Sequence, residues 1–334
     1  MSRRRFPILP VLWTLGALGA IKSLLTRLFE PDLWWHLALA RQMVAEGGVT
    51  RSETLSYTFL GAPYINFEWL AELVFYAAWL VSGLAGIFAL KIIASLAVAG
   101  LVAWSLHAWG GRGAPAFLLW WTLFWVLRPR FNERPELATL LGLGALVLIV
   151  HQALVSPGSR RVLMGVGAVL MILWSNAHGG WVFAPALVGL LAIGAAWSRE
   201  HRASARFLLG FSFLLGAAGL VNPYGPRALL VHTIHFSFLA TDGSVAGVIQ
   251  EWLPTTPERA PLFWALVASS FAALVEGLLL GRASARLWGP ALVVFALWGM
   301  AYLRNAALFV FIAGPFLAMW LGERGPKGIR FAVT

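Results

Sequence analysis

Apolar runs recur from one end of the chain to the other, separated by short polar and basic segments. Each run is near the ~20 residues that carry a helix across a bilayer. Basic residues flank the runs, as Arg3 to Arg5, Arg160-Arg161, Arg199/Arg202/Arg206, Arg282/Arg286 and Arg324/Lys327/Arg330. Such flanks mark cytoplasmic ends. They predict spans near 6–27, 162–175, 181–197, 206–221, 261–280, 287–303 and 305–321.

The first half poses a question of parity. If 68–84 and 86–108 both crossed, Arg160-Arg161 would fall outside. The signs agree if 67–83 does not cross. It opens Phe67-Glu68-Trp69-Leu70-Ala71-Glu72, and two acids deep in hydrocarbon are costly. It reads as an amphipathic helix at the interface. The expected fold is therefore all-α: a polytopic integral membrane protein with about ten transmembrane helices and interfacial helices in the first external loop. The termini are expected in the cytoplasm, with 1–334 as one membrane domain. The long external segments are 28–85 and 222–260, and no soluble C-terminal domain is expected.

Composition supports this. Hydrophobic residues make up 60% of the 334 positions and charged residues 12%, against roughly 25% on a soluble surface. A soluble enzyme is excluded. The net charge of +11 comes from orientation signals between apolar runs and does not point to nucleic acid. With no cysteine, disulfides, thiolate metal sites and a cysteine nucleophile are excluded.

The polar clusters fall on one side of this topology. Glu30-Pro31-Asp32-Leu33-Trp34-Trp35-His36 places Asp32 and His36 on one helical face, as a base and its partner or as cation ligands. Glu68 and Glu72 share a face of the next helix. Arg128-Pro129-Arg130-Phe131-Asn132-Glu133-Arg134-Pro135-Glu136 puts three arginines outside, where guanidinium groups suit phosphate; Arg134 and Arg128 are the candidates. In Asn176-Ala177-His178-Gly179-Gly180, Asn176 and His178 can donate to a substrate. Glu251 and the lone Arg304 of Arg304-Asn305, the short joint between the last two spans, complete the set. Lys91 is expected to snorkel, and His232 and His235 to lie on an interfacial helix.

The segments Pro31-Asp32-Leu33-Trp34-Trp35-His36, Ser56-Tyr57-Thr58, Glu68-Trp69-Leu70-Ala71-Glu72, Arg134-Pro135-Glu136, Asn176-Ala177-His178-Gly179-Gly180, Asn222-Pro223-Tyr224-Gly225, Glu251-Trp252 and Arg304-Asn305 occur in order. In them the chain resembles a broad family of bacterial polytopic GT-C-fold glycosyltransferases over about 30–321. The resemblance implies a sugar carried on a polyprenyl phosphate and transferred outside the bacterial inner membrane. It also implies an essential acid just after the first span, which by position is Asp32, and a second contribution near Glu136.

The leading expectation is an inverting membrane glycosyltransferase. Asp32 deprotonates or orients the acceptor, a glycan, lipid or protein. Arg134, Arg304 and Arg128 hold the leaving phosphate, and His36, Glu68, Asn176 and His178 line the pocket. The residues allow a divalent metal without requiring one, and allow a partner subunit. The rivals are a carrier or flippase for a lipid or anionic solute, and a non-catalytic assembly subunit with the same fold.

Overall fold

The apolar runs fold as helices in a computed structural model that describes residues 8–28, 30–233 and 249–324. His235 lies outside the described residues, as do Arg3 to Arg5, Lys327 and Arg330. The helices are α1 (Ile8–Leu24), α2 (Leu33–Glu46), α3 (Trp69–Ser82), α4 (Leu84–Ala108), α5 (Gly113–Leu127) and α6 (Leu137–Val155). They continue as α7 (Arg160–Ala177), α8 (Phe183–Trp197), α9 (Ala205–Gly219), α10 (Pro261–Leu279), α11 (Ala283–Ala301) and α12 (Val310–Arg324). Large apolar side chains such as Val162, Ile193, Phe213 and Leu279 face outward, as lipid contact requires. The chain is a multi-pass membrane protein. By length and composition, 6 helices among the described residues are fit to cross a bilayer. The shorter α1, α5 and α9 and the arginine-headed α7 lie outside that group, so length alone does not recover all the expected spans.

The last helix is the centre of the bundle. Val310 to Met319 are buried without interruption, and α12 packs against α4, α5, α10 and α11. A helix apolar on every side is stable only when enclosed. Its start differs from the expected joint at Arg304-Asn305. A 3-10 helix, Leu303–Ala307, follows α11, and α12 begins at Val310. That extra turn holds Arg304 at the bundle's end.

Glycines set two of the closest approaches. A Cβ on Gly86 would meet the Ala78 carbonyl oxygen at 2.0 Å, so α3 folds back tightly on α4. A Cβ on Gly194 would meet the Leu287 carbonyl oxygen at 2.0 Å, locking α8 to α11. Backbone cannot yield as a flexible side chain can. Gly194→Ala is expected to lower stability by about 2 kcal/mol. Gly210→Ala, with nothing within 4 Å of its Cβ, should not. Thermal unfolding in detergent compares them, and equal melting would refute the close-packing account.

Both ends of α3 lie at the same end of the bundle. Glu68, before it, shares a cavity with Asp32; Leu84, just after it, lines a recess with Glu30 and Pro31. The 14-residue helix therefore leaves that end and returns to it without running the length of the bundle, in keeping with the expected interfacial helix. The opposite end is held by other polar contacts, including Arg160 to Ser204 at 2.7 Å and Arg324 to Glu276 at 2.7 Å.

A candidate active site

Charged side chains inside an apolar bundle cost free energy unless they are paired. Here they gather at the end where α3 returns. Glu30 and Asp32 precede α2, and Glu68 precedes α3. Arg130, Arg134 and Glu136 lie between α5 and α6, His178 between α7 and α8, Glu251 ahead of α10, and Arg304 between α11 and α12. A cavity of about 290 Å³ opens among them. Asp32, His36, Glu68, Arg134, Glu136, His178, Glu251 and Arg304 line it, with the rings of Trp35, Trp252, Trp298 and Tyr302.

Two residues expected at the site stand elsewhere. Arg128 donates through Nε to the Ser23 carbonyl at 2.9 Å, closing the end of α1. Asn176 accepts from Trp69 Nε1 at 2.8 Å and donates to the Ile172 and Val221 carbonyls, joining α3 to α7 and to the end of α9. Lys91 does not snorkel. It is buried, donates to the Thr26 carbonyl at 2.9 Å and pairs with Glu133 at 3.7 Å.

Glu251 organises the cations. One of its oxygens meets Arg130 at 2.8 Å and Arg134 at 3.0 Å; the other meets Arg304 at 3.5 Å. Burial alone would raise its pKa, but Arg304, Arg130 and Arg134 outweigh this and hold it low. Arg130 also pairs with Glu136, whose burial is likewise outweighed, first by Arg130. Arg134 grips both oxygens of Glu30, at 2.6 and 2.7 Å, and reaches Asp32 at 3.1 Å. Asp32 sits at the N-cap position of α2 but makes no capping bond. Its side chain is 43% exposed and open to a ligand. Arg304 lies over the Trp252 ring at 4.4 Å.

No local pattern gives Glu30 or Arg130 a partner, and His232, expected on an interfacial helix, lines the cavity. The pairing of Arg134 with Glu251 spans 117 residues, so no local pattern could reveal it.

Glu68 and His178 differ from the ionised acids. Burial first, then the nearby Glu72, pushes the Glu68 carboxyl up to about 8, so it carries a proton at neutral pH. Burial pushes His178 down to about 3, leaving it neutral. Its Nδ1 accepts from the Gly180 amide at 3.0 Å and faces the Thr139 hydroxyl at 2.7 Å. Trp174 Nε1 donates to that same hydroxyl oxygen, so the hydroxyl hydrogen is free to point at His178. The ring proton of His178 is therefore on Nε2, 3.6 Å from Glu68.

These shifts have a measurable consequence. A carboxyl held protonated by the fold stabilises it fully below the ordinary 4.5, and that stability is lost as pH rises to about 8. Below 6.5 the neutral His178 opposes this trend, because the unfolded imidazole binds a proton that the folded one does not. Between pH 6.5 and 8 unfolding free energy should fall by about 1 kcal/mol per unit, and Glu68→Gln should flatten the slope. Denaturant melts across that window decide it; an unchanged slope in the variant refutes the protonated Glu68.

No protein-family model and no curated protein matches the sequence. Solved structures do match. The archaeal oligosaccharyltransferase AglB from Archaeoglobus fulgidus, in complex with an inhibitory peptide and a dolichol-phosphate, superposes with a TM-score of 0.59 at 11% identity. That match covers 95% of this chain and 50% of the other. An Archaeoglobus fulgidus oligosaccharyltransferase tethered with an acceptor peptide gives 0.60 at 12% identity, over 97% and 50% of the two chains. Its apo form gives 0.57 at 14%, over 96% and 51%.

The chain has a GT-C-like fold.

It spans about half the length of those oligosaccharyltransferase chains. The GT-C-like fold brings together the starts of α2, α3 and α6 with the ends of α7 and α11, which are the elements that carry most of the cavity. Among the described residues no three carboxylate or imidazole groups cluster as a cation shell. Glu30, Asp32 and Glu251 all meet the Arg134 guanidinium.

Proposed function

We propose that the protein is a membrane glycosyltransferase that moves a sugar from a polyprenyl-phosphate donor to an envelope acceptor at the outer face of a bacterial inner membrane. The observation that carries this reading is one aromatic-walled cavity holding both an accessible carboxylate, Asp32, and a weakly engaged guanidinium, Arg304. Glycosyl transfer needs that combination. The acceptor must be oriented and relieved of a proton, and the phosphate that leaves the anomeric carbon gathers charge in the transition state. Arg304 stabilises the phosphate, with Arg134 behind it. Protonated Glu68 and the Nε2–H of His178 donate to sugar hydroxyls. Trp35, Trp252 and Tyr302 supply faces for the sugar ring. The oligosaccharyltransferase with which the chain shares its fold binds a dolichol-phosphate in one of its structures, which supports a lipid-linked donor here.

The test is transfer in proteoliposomes from a panel of labelled polyprenyl-phosphate sugars to extracted envelope acceptors. Label is expected in an acceptor with wild type, in the presence of EDTA as well as without it. Asp32→Asn should lower transfer at least ~10²-fold while the protein remains folded. Equal transfer by the variant removes Asp32 from the reaction. Loss in EDTA would show that a metal is needed after all.

A further inference from the structure

Asp32, at the N-cap of α2, is one turn before His36, and Glu68, at the N-cap of α3, is one turn before Glu72. Packing of these helices sends one residue of each pair to the cavity rim and joins the other two beneath it. His36 Nδ1 lies 3.0 Å from Glu72 Oε1, and both side chains are buried. The second Glu72 oxygen accepts from Asn66 Nδ2 at 2.6 Å. The orientation of that amide is fixed, because Asn66 Oδ1 accepts from the Glu68 backbone N–H at 3.2 Å. Asn66 is anchored in turn: its N–H donates to the Tyr224 hydroxyl at 3.0 Å, which donates to the Thr50 carbonyl at 2.7 Å.

We infer that Glu72 and Asn66 position His36 as the proton acceptor of the cavity, an assignment that rests on the transferase reading for its substrate but not for its geometry. A buried carboxylate needs donors on both oxygens. Asn66 serves one, so the hydrogen on His36 sits on Nδ1 and points at the other. Nε2 then carries a lone pair. His36 lines the cavity, and Nε2 has no hydrogen-bond partner among the described residues. When Nε2 takes a proton, the imidazolium lies against the Glu72 carboxylate, which stabilises it.

His178 has the opposite tautomer, with Nδ1 accepting and Nε2 donating. One cavity therefore holds a histidine built to accept and a histidine built to donate. In transfer, the acceptor's heteroatom bonds to the anomeric carbon and its proton passes to His36 Nε2. The bond from that carbon to the phosphate oxygen breaks, and its electron pair leaves with the phosphate. Asp32, tied to Arg134, is left to orient the acceptor.

The test reads the tautomer directly. Nitrogen-15 NMR of the histidine-labelled folded protein separates a ring nitrogen that carries hydrogen from one with a free lone pair, and His36→Asn and His178→Asn assign the signals. At neutral pH His36 is expected to hold its hydrogen on Nδ1 and His178 on Nε2; the reverse overturns the assignment. Glu72→Gln places an amide N–H against Nδ1, because Asn66 fixes the other end of the new amide. That moves the His36 proton to Nε2, and the two His36 signals should exchange character. Unchanged His36 signals overturn the dyad. In the transfer assay Glu72→Gln should lower kcat at least ~10²-fold with KM held, and Glu72→Asp should recover part of the rate. A structural fault would not separate the two constants in this way. If the nitrogen signals behave as expected while wild type moves no sugar, the dyad stands and the transferase reading falls.

Discussion

Arg304→Ala lowers the rate of sugar transfer by about 10²–10³ and leaves the fold intact. The expectation follows from how lightly this side chain is used by the protein. Its ion pair with Glu251 is 3.5 Å long, the longest that Glu251 makes with an arginine among the described residues, and its guanidinium rests on the Trp252 ring. Such a group is free to meet an anion. Arg134 is different, since it meets Glu30, Asp32 and Glu251 at once, and its loss would disturb the whole linker. Arg304→Lys keeps the charge but loses the forked donors that match phosphate, so its rate should fall between alanine and wild type. Steady-state kinetics with a lipid-linked donor measures both variants. A rate within threefold of wild type for Arg304→Ala would remove this arginine from the transition state.

Glu251→Gln destabilises the protein by about 3 kcal/mol, because it takes the shared anion from three buried or half-buried guanidinium groups. The remaining acids do not replace it. Glu136 already serves Arg130, and Glu30 already serves Arg134. The double variant Glu251→Gln/Arg304→Ala should lose less than the sum of the single changes, since one of the stranded cations is gone. Denaturant melts in detergent give the comparison. A change below about 0.5 kcal/mol in the single variant would mean that solvent screens the cluster as it does an exposed pair.

Much of this was legible in the chain. The apolar runs and their basic flanks located the helices, since hydropathy and charge are local properties. Parity required one apolar stretch not to cross, its two acids singled out the helix with Glu68 and Glu72, and both ends of that helix do lie at one end of the bundle. The convergence of Asp32, His36, Glu68, Arg134, Glu136, His178, Glu251 and Arg304 was legible as a shared side of the membrane. Their pairing was not. Arg128 and Arg134 have the same chemistry in the same loop, and only the proximity of the α1 carbonyls turns Arg128 away. Lys91 looked like a snorkelling cation because its partners, Thr26 and Glu133, lie in other loops. Hydrogen-bond direction is further from sequence still. That His36 and His178 hold their protons on different nitrogens depends on an asparagine amide, a threonine hydroxyl and one backbone N–H.

The matching of guanidinium and carboxylate groups at the cavity bears on how substrate arrives. Arg130, Arg134 and Arg304 face Glu30, Asp32, Glu136 and Glu251, so their fields largely cancel within a few ångströms. Little potential extends beyond a Debye length of about 8 Å to draw an anionic headgroup from afar. In the proposed transfer, a lipid-linked donor would reach the cavity by lateral diffusion in the plane of the membrane, and ionic strength would have little purchase on the encounter. The cations would act only after arrival, when the departing phosphate competes with the carboxylates already in place.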